Sequence, residues 1–223
     1  MKLNKNQKFI IAVDGGSSVG KSTGAKLISK KYKLNFLSSG LLYRYASHQL
    51  LQKKPKNKIK FLNGILNKLN YKKLNSFNLH SPRISEYTSI IAKQNKIRAI
   101  LKKFQVNFSK KNIRCVIEGR DIATKICPDA DVKFFFICSL QKAAKRRFLD
   151  LKKKNPNLKF RDVKNALKIR NLRDKNRKHS PLLKHRDALV IDTGKLSKSG
   201  TVKKMSLTVD KEINKKYGSR STN

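Results

Sequence analysis

A glycine-rich segment followed by lysine and serine carries the clearest chemical signal in the sequence. Gly15, Gly20, Lys21 and Ser22 match the pattern G-x-x-x-x-G-K-[ST], in which backbone N–H groups converge on phosphate oxygens. In that arrangement the lysine reaches the outer phosphates, the serine hydroxyl can hold Mg²⁺, and the start of the next helix favours negative charge. The sequence therefore predicts that this segment binds a nucleoside triphosphate and takes part in moving its terminal phosphoryl group.

Two charged clusters further along the chain have residue types suited to binding anions. The segment 118–121, Glu-Gly-Arg-Asp, comes directly after a predicted buried strand. Arg170, Arg173, Asp174 and Arg177 recur at spacings of three and four, so on a helix they would share one face and could converge on phosphate oxygens. On spacing alone, the second cluster could equally be one more solvated face of a very basic protein.

Several classes of enzyme share this phosphate loop, and the sequence separates some of them. A GTPase of the common type would carry N-K-x-D for guanine, but the Asn-Lys pairs at Asn57, Asn67 and Asn95 are not followed by that aspartate. A motor ATPase would normally be longer or carry assembly regions. A small kinase fits the length of the chain and its downstream arginine clusters better.

The hydrophobic pattern indicates which elements must hold these residues. Residues 9–13 form an unbroken apolar run that ends in Asp14, as expected of a central parallel strand buried on both faces. Later apolar runs also end in polar residues, and they alternate with segments of helical periodicity. The predicted strands are 9–13, 35–37, 113–117, 132–138 and 188–191, and the predicted helices are 22–33, 41–51, 85–108, 158–178 and 197–216.

Strands that alternate with helices predict an α/β fold of the P-loop NTPase type, with a doubly wound parallel sheet of five strands. Ligands of such sheets lie beyond the carboxyl ends of the strands, where the phosphate loop and residues 118–121 both fall. Residues 52–82 are rich in Lys, Asn and Leu with little periodicity, which predicts an inserted subregion. We expect residues 1–223 to form a single domain around that insert.

Composition bears on the partners and the compartment. Lys and Arg number 55 against 13 Asp and Glu, a net charge of +42 that raises nucleic-acid binding as an idea. The positive charge is spread through nearly every segment without interleaved aromatic residues, so no specific nucleic-acid partner is expected.

Cys115, Cys127 and Cys138 fit neither metal-ligand spacing nor paired disulfides and are expected to be reduced core residues. No apolar run is long enough for a membrane span, and a cytoplasmic location is predicted.

Five blocks of sequence together resemble a known family, the bacterial cytidylate kinases, which transfer the γ-phosphoryl group of ATP to CMP or dCMP. The resemblance covers nearly the whole chain. Its most specific part is E-G-R-D-I-x-T followed by P-D-A-D. The blocks are AVDGGSSVGKST (12–23), FLSSGLLYR (36–44), VIEGRDIATKICPDADVKFFF (116–136), IRNLRDKNRKHSPL (169–182) and DALVIDTGKLS (187–197).

The resemblance implies roles for individual residues. Arg120 would grip the phosphate of CMP and Asp121 its sugar, residues at about 155–178 would form a helical lid, and the protein would be a monomer. The catalytic residues would be Lys21, Arg170, Arg173 and Arg177, with Mg²⁺ held at Ser22. ATP would be bound by Gly15, Gly16, Ser17, Ser18, Val19, Gly20, Lys21, Ser22 and Thr23. CMP would be bound by Ser39, Tyr43, Arg44, Ser89, Arg98, Arg120, Asp121, Asp174 and Arg177.

The sequence departs from the family pattern at a few positions, and two alternatives stay open. Ser38 stands where the family usually has Asp, Gly16 replaces its customary Pro, and residues 79–82 read Leu-His-Ser-Pro in place of Leu-Arg-Thr-Pro. One alternative is another small P-loop kinase that acts on UMP or on a non-nucleotide alcohol. The other is a basic ATPase that binds nucleic acid.

Overall fold

The computed structural model describes residues 4, 6–153 and 155–218. Its central sheet has five parallel strands in the order β2-β3-β1-β4-β5, which confirms the predicted doubly wound α/β fold. The strands are β1 (Phe9–Gly15), β2 (Asn35–Ser38), β3 (Arg114–Gly119), β4 (Val132–Ile137) and β5 (Leu189–Asp192). The helices are α1 (Lys21–Lys31), α2 (Ser39–Lys53), α3 (Lys58–Asn67), α4 (Pro82–Ile91), α5 (Asn95–Lys111), α6 (Leu140–Lys152), α7 (Phe160–Asn176) and α8 (Lys198–Tyr217), with a 3₁₀ helix at Tyr71–Ser76 and a π-helix at Ile122–Ile126.

The central strand β1 is buried along its whole length because helices cover both faces of the sheet. Its alternate side chains divide between two hydrophobic clusters. Phe9, Ile11 and Val13 pack with residues of α1 and α8. Ile10 and Ala12 face the opposite side, where residues of α2 to α5 lie. This alternation explains why the strand reads as a continuous apolar run, and it places the phosphate loop at the middle of the sheet edge.

The prediction of one continuous helix over residues 85–108 is wrong. The structure breaks this segment into α4 and α5 around the turn at residues 92–94. Ile91 and Ile97 are 0% and 1% exposed and belong to the same core cluster. Six residues of uninterrupted helix would place them about 240° apart around the axis, on different faces. The break lets both side chains enter one core, and the Ala92 carbonyl accepts a hydrogen bond from the Arg98 guanidinium at 3.3 Å.

Two further segments pack outside the sheet. Residues 52–82, for which the sequence predicted no elements, contain α3 and the 3₁₀ helix, and their buried leucines pack with α5. On the other side α6 and α7 form a hairpin held by a small cluster that includes Ala144, Val163 and Leu167. The segment expected to form a lid is helical from Phe160, slightly later than the sequence pattern indicated.

The three cysteines are unpaired and differ in burial. Cys115 and Cys127 are buried free thiols, as expected, whereas Cys138 is only partly buried. Within the described ranges of the chain, no helix is both long enough and apolar enough to cross a bilayer.

Candidate active site

The phosphate loop joins β1 to α1 through two glycines whose backbone conformations disfavour other residues. Gly15 has φ of 151°, and a Cβ atom there would lie 2.5 Å from the carbonyl oxygen of Phe136. Gly20 has φ of 86° and precedes the first turn of α1 without a side-chain cap. The N–H groups of that turn are therefore left for a ligand, and the helix dipole favours an anion there.

Lys21 lies in the floor of this loop and is 7% exposed. Its ammonium group donates to the Gly16 carbonyl at 3.1 Å and lies 3.7 Å from Oε2 of Glu118. Burial, followed by the positive charge of Arg120, lowers the pKa of Lys21 from 10.5 to about 7. A phosphate anion in the loop would reverse this effect, because it stabilises the charged form.

We expect the binding of ATP to be accompanied by proton uptake at pH 8. With a pKa of about 7 the free lysine is mostly neutral at that pH, and the triphosphate charge should restore its proton, so close to one proton is taken up. Calorimetric titrations in Tris and in HEPES, which differ in ionisation enthalpy, measure this uptake. The Lys21→Met variant should bind ATP weakly and without proton uptake. Equal apparent binding enthalpies for the wild type in both buffers would contradict the assignment.

Glu118 is the acidic group of the loop region, and the sequence prediction gave it no role. It is 2% exposed at the carboxyl end of β3. Its Oε1 accepts hydrogen bonds from the hydroxyls of Ser22, at 3.0 Å, and Ser38. Its Oε2 is buried and has no hydrogen-bond partner among the described residues. The sequence places this carboxylate at the sheet edge near the phosphate loop but indicates no separate role for it.

Arg120 joins the phosphate loop to the lid. Its Nη2 donates to the Ser17 hydroxyl at 2.9 Å, and its Nε donates to Oδ2 of Asp174 on α7 at 2.8 Å. Burial alone would raise the pKa of Asp174, but the charges of Arg120 and Arg170 outweigh it and lower that pKa. The predicted clusters at 118–121 and 170–177 are therefore in direct contact.

A second group of ion pairs surrounds Asp121. Its carboxylate lies 2.5 Å from the guanidinium of Arg98 and 3.6 Å from that of Arg177. Arg177 also lies 3.7 Å from Asp174. Together with Arg120, the guanidinium groups of Arg98 and Arg177 pair with only two carboxylates, those of Asp121 and Asp174. The site therefore carries an excess of positive charge. Such a site favours an additional anion.

The two groups enclose a cavity of about 50 Å³ below the lid. That volume holds only about two water molecules, too few for a nucleotide in this conformation. Residues of the predicted site that line it are Ser39, Tyr43, Ser89, Arg98, Arg120, Asp121, Arg170, Asp174 and Arg177. The cavity thus brings together residues that lie far apart in the sequence.

Two predicted arginines lie outside this lining. Arg44 is buried, and its Nη1 donates to the Leu79 carbonyl at 2.9 Å and to the Ser85 hydroxyl at 2.8 Å. It therefore ties α2 to the segment leading into α4. Arg173 is exposed and donates to the Ser89 hydroxyl at 3.2 Å across the lid.

The remaining residues predicted for ATP binding differ in exposure. Val19 is 4% exposed and packs in the core, so only its backbone can face a ligand, whereas the Thr23 side chain is exposed on α1. Ser18 has a positive φ of 58° in the loop. The Ser17 N–H, which a phosphate oxygen could accept from, donates to Oδ1 of Asn171 on the lid at 3.1 Å. Asn171 was not predicted, since a neutral side chain among arginines gives no signal.

A five-stranded parallel sheet, a phosphate loop after its central strand and the arginine-rich helix α7 define a P-loop NTPase of the α/β class. The chain belongs to the cytidylate kinase family: the family model described as cytidylate kinase matches residues 11–211. A cytidylate kinase of Bartonella tribocorum is 38% identical over 198 residues, covering 86% of this chain and 90% of the relative. One from Rickettsia rickettsii is 34% identical over 209 residues, covering 93% and 94%.

Solved structures support the fold. An uncharacterized protein of Eubacterium ventriosum matches with a TM-score of 0.54 at 15% identity, covering 91% of this chain and 99% of its own. A protein of Thermus thermophilus matches with a TM-score of 0.52 at 13% identity, covering 93% and 99%. At these identities the likeness concerns the architecture alone.

Proposed function

We propose that this protein transfers the γ-phosphoryl group of ATP to CMP or dCMP, giving ADP and CDP or dCDP. The observation that carries the proposal is the contact of Arg120 with Ser17 of the phosphate loop on one side and with Asp174 of the lid on the other. It makes the loop and the arginine-lined cavity two adjacent halves of one site. The membership of the chain in the cytidylate kinase family supports the identity of the acceptor.

The reaction needs positioning and charge neutralisation more than acid–base chemistry. An oxygen of the CMP phosphate forms a bond to the γ-phosphorus, while the bond to the β–γ bridging oxygen breaks and leaves ADP. The attacking oxygen is already an anion, so no strong base is required. Lys21 and the lid residues Arg170, Arg173 and Arg177 would neutralise the negative charge that spreads over the transferring group.

Acceptor binding would require the arginines to exchange partners. In the structure Arg120 and Arg177 are paired with the carboxylates of Asp174 and Asp121. A CMP phosphate entering the cavity offers oxygens that suit a guanidinium fork, and the sugar hydroxyls can then hydrogen-bond Asp121. The two aspartates thus hold the arginines in place until the phosphate arrives. Closure of the lid would then exclude the water that could hydrolyse ATP.

The residues present fit a magnesium ion beside the loop. The described residues contain no cluster of three or more His, Cys, Asp or Glu side chains that could hold a metal. Mg²⁺ usually needs only one or two protein oxygens together with substrate phosphates. Oε2 of Glu118, which accepts no hydrogen bond from the described residues, and the hydroxyl of Ser22, which contacts the same carboxylate, offer those oxygens. When bound, the ion would neutralise charge on the β- and γ-phosphates.

The proposal extends to the organisation of the protein. The chain would act as one cytidylate-kinase-like domain, with the segment 52–82 as the insert and residues 155–178 as the lid. Its partners would be ATP and CMP or dCMP, with no specific nucleic acid, and it would be a monomer in the cytoplasm. The positive charge of the lid would attract anionic nucleotides to the site.

A coupled assay of ADP formation over CMP, dCMP, UMP, AMP and shikimate tests the acceptor. We expect CMP or dCMP to give the highest kcat/KM. A better rate with UMP or shikimate would favour another small P-loop kinase. ATP hydrolysis that needs nucleic acid, with tight and steeply salt-dependent binding, would favour the nucleic-acid-binding ATPase. Binding that is lost by moderate salt is expected from the +42 net charge alone.

A further inference from the structure

A buried carboxylate connects the two halves of the proposed site. Asp14 is the last residue of β1 before Gly15 and is 1% exposed. Its Oδ1 accepts from the backbone N–H of Ile122 at 2.9 Å, and its Oδ2 accepts from that of Ala123 at 2.8 Å. Those amides come directly after Asp121. One side chain next to the phosphate loop therefore holds the backbone that follows the acceptor-binding residues.

This arrangement frees the neighbouring aspartate for other contacts. Asp121 precedes the first turn of the π-helix, a position where an aspartate usually caps the first N–H groups with its own side chain. Here its side chain makes no such bond and instead pairs with Arg98 and Arg177. Asp14 supplies both acceptors in its place. The first two N–H groups of the π-helix are thus hydrogen-bonded while the Asp121 carboxylate lines the cavity.

We propose that Asp14 is a positioning residue, which sets the acceptor-binding pair Arg120-Asp121 at its working distance from the phosphate loop. The inference rests on the proposed function. Reactant groups displaced by about 1 Å can cost about 100-fold in rate, so a fixed connection between the donor and acceptor sides has kinetic value. Asp14 touches neither substrate and would act only through the backbone of residues 122 and 123.

Two buried backbone N–H groups, those of Ile122 and Ala123, require two acceptor oxygens at position 14. Burial raises the pKa of Asp14 from 3.8 to about 7, while the backbone N–H groups of Ile122 and Ala123 oppose that rise. An ionised carboxylate in such a place is costly for the fold. An asparagine would avoid the charge, but its side chain has only one acceptor oxygen and would turn an NH₂ group toward a backbone N–H.

The test is Asp14→Asn, assayed with CMP and ATP. We expect kcat/KM for CMP to fall about 10- to 100-fold, through a higher KM and a lower kcat, because one charged hydrogen bond is lost and a donor is left unpaired. The dissociation constant of ATP alone, measured by calorimetry, should change by less than about twofold, since the loop glycines and Lys21 are untouched.

Asp131→Asn is the matched control. Asp131 also accepts from a backbone N–H of β1, that of Ile10 at 2.7 Å, and it pairs with Lys216, all at the end of the strand away from the site. Both variants alter a carboxylate–amide contact in which one partner belongs to β1. Both are expected to lower the thermal unfolding midpoint, but only Asp14→Asn should change the acceptor kinetics.

Wild-type kinetics in Asp14→Asn would overturn the inference, and so would an equal kinetic loss in Asp131→Asn. Should Asp14→Asn fail to fold, hydrogen exchange on the wild type decides the question. The amides of Ile122 and Ala123 should stay protected as substrates open and close the lid, and exchange at the rate of free amides would contradict a fixed connection. A wild type inactive toward CMP would contradict the proposed function instead, and the exchange experiment would then test only the connection between Asp14 and the amides of Ile122 and Ala123.

Discussion

Lys21→Ala is expected to lower kcat by about 1,000-fold or more while the protein remains folded. The side chain places a positive charge where the β- and γ-phosphates of ATP would lie, and no other described lysine reaches the Gly16 carbonyl in the loop. Its burial is costly for the fold, but its removal also leaves the buried Glu118 without its ion-pair partner, so the unfolding midpoint should fall while the protein stays folded. Steady-state kinetics with saturating ATP and CMP, together with thermal unfolding, measure both effects.

Lys26→Ala is the matched control for this variant. Lys26 is exposed on the same helix, α1, and its loss removes the same charge from the protein. We expect wild-type kinetics from it. A Lys21→Ala protein with near-normal turnover would show that the loop does not act on the transferred phosphate.

Arg120→Ala is expected to have the second largest effect, about a 100- to 1,000-fold fall in kcat/KM for CMP. The guanidinium is the proposed ligand of the acceptor phosphate, and it also connects Ser17 of the loop to Asp174 of the lid. Its removal would leave the partly buried carboxylate of Asp174 with the contact to Arg177 at 3.7 Å and the charge of Arg170. Both the KM for CMP and kcat should change, because binding and lid closure depend on the same side chain.

Arg186→Ala provides the comparison for the loss of an arginine charge. The Arg186 side chain is 90% exposed and lies outside the cavity lining. It should leave kcat/KM within about twofold of the wild type, since surface charges act mainly through screened long-range fields. Equal kcat/KM values for CMP in Arg120→Ala and Arg186→Ala would contradict the proposal that the acceptor phosphate binds in this cavity.

The sequence was most informative where local rules decide the structure. The strand β1 and the glycine turn could be predicted because an apolar run and the conformational demands of Gly15 and Gly20 act over a few residues. The Glu118–Asp121 segment could be placed at the same sheet edge because parallel strands bring their carboxyl ends together.

Other features depend on contacts that no local pattern contains. The break between α4 and α5 follows from the need of Ile91 and Ile97 to enter one core, which spacing alone does not reveal. The contact of Asn171 with the Ser17 N–H requires the lid to fold over the loop. The hold of Asp14 on Ile122 likewise links residues more than 100 positions apart.

Transfer of isotope from the γ-phosphorus of labelled ATP to CMP tests the central claim most directly. The account predicts that the label appears in CDP in a one-to-one ratio with ADP, and that Lys21→Ala abolishes this product while Lys26→Ala does not. Label that appears only in inorganic phosphate, or that passes to another acceptor in preference to CMP and dCMP, would contradict it.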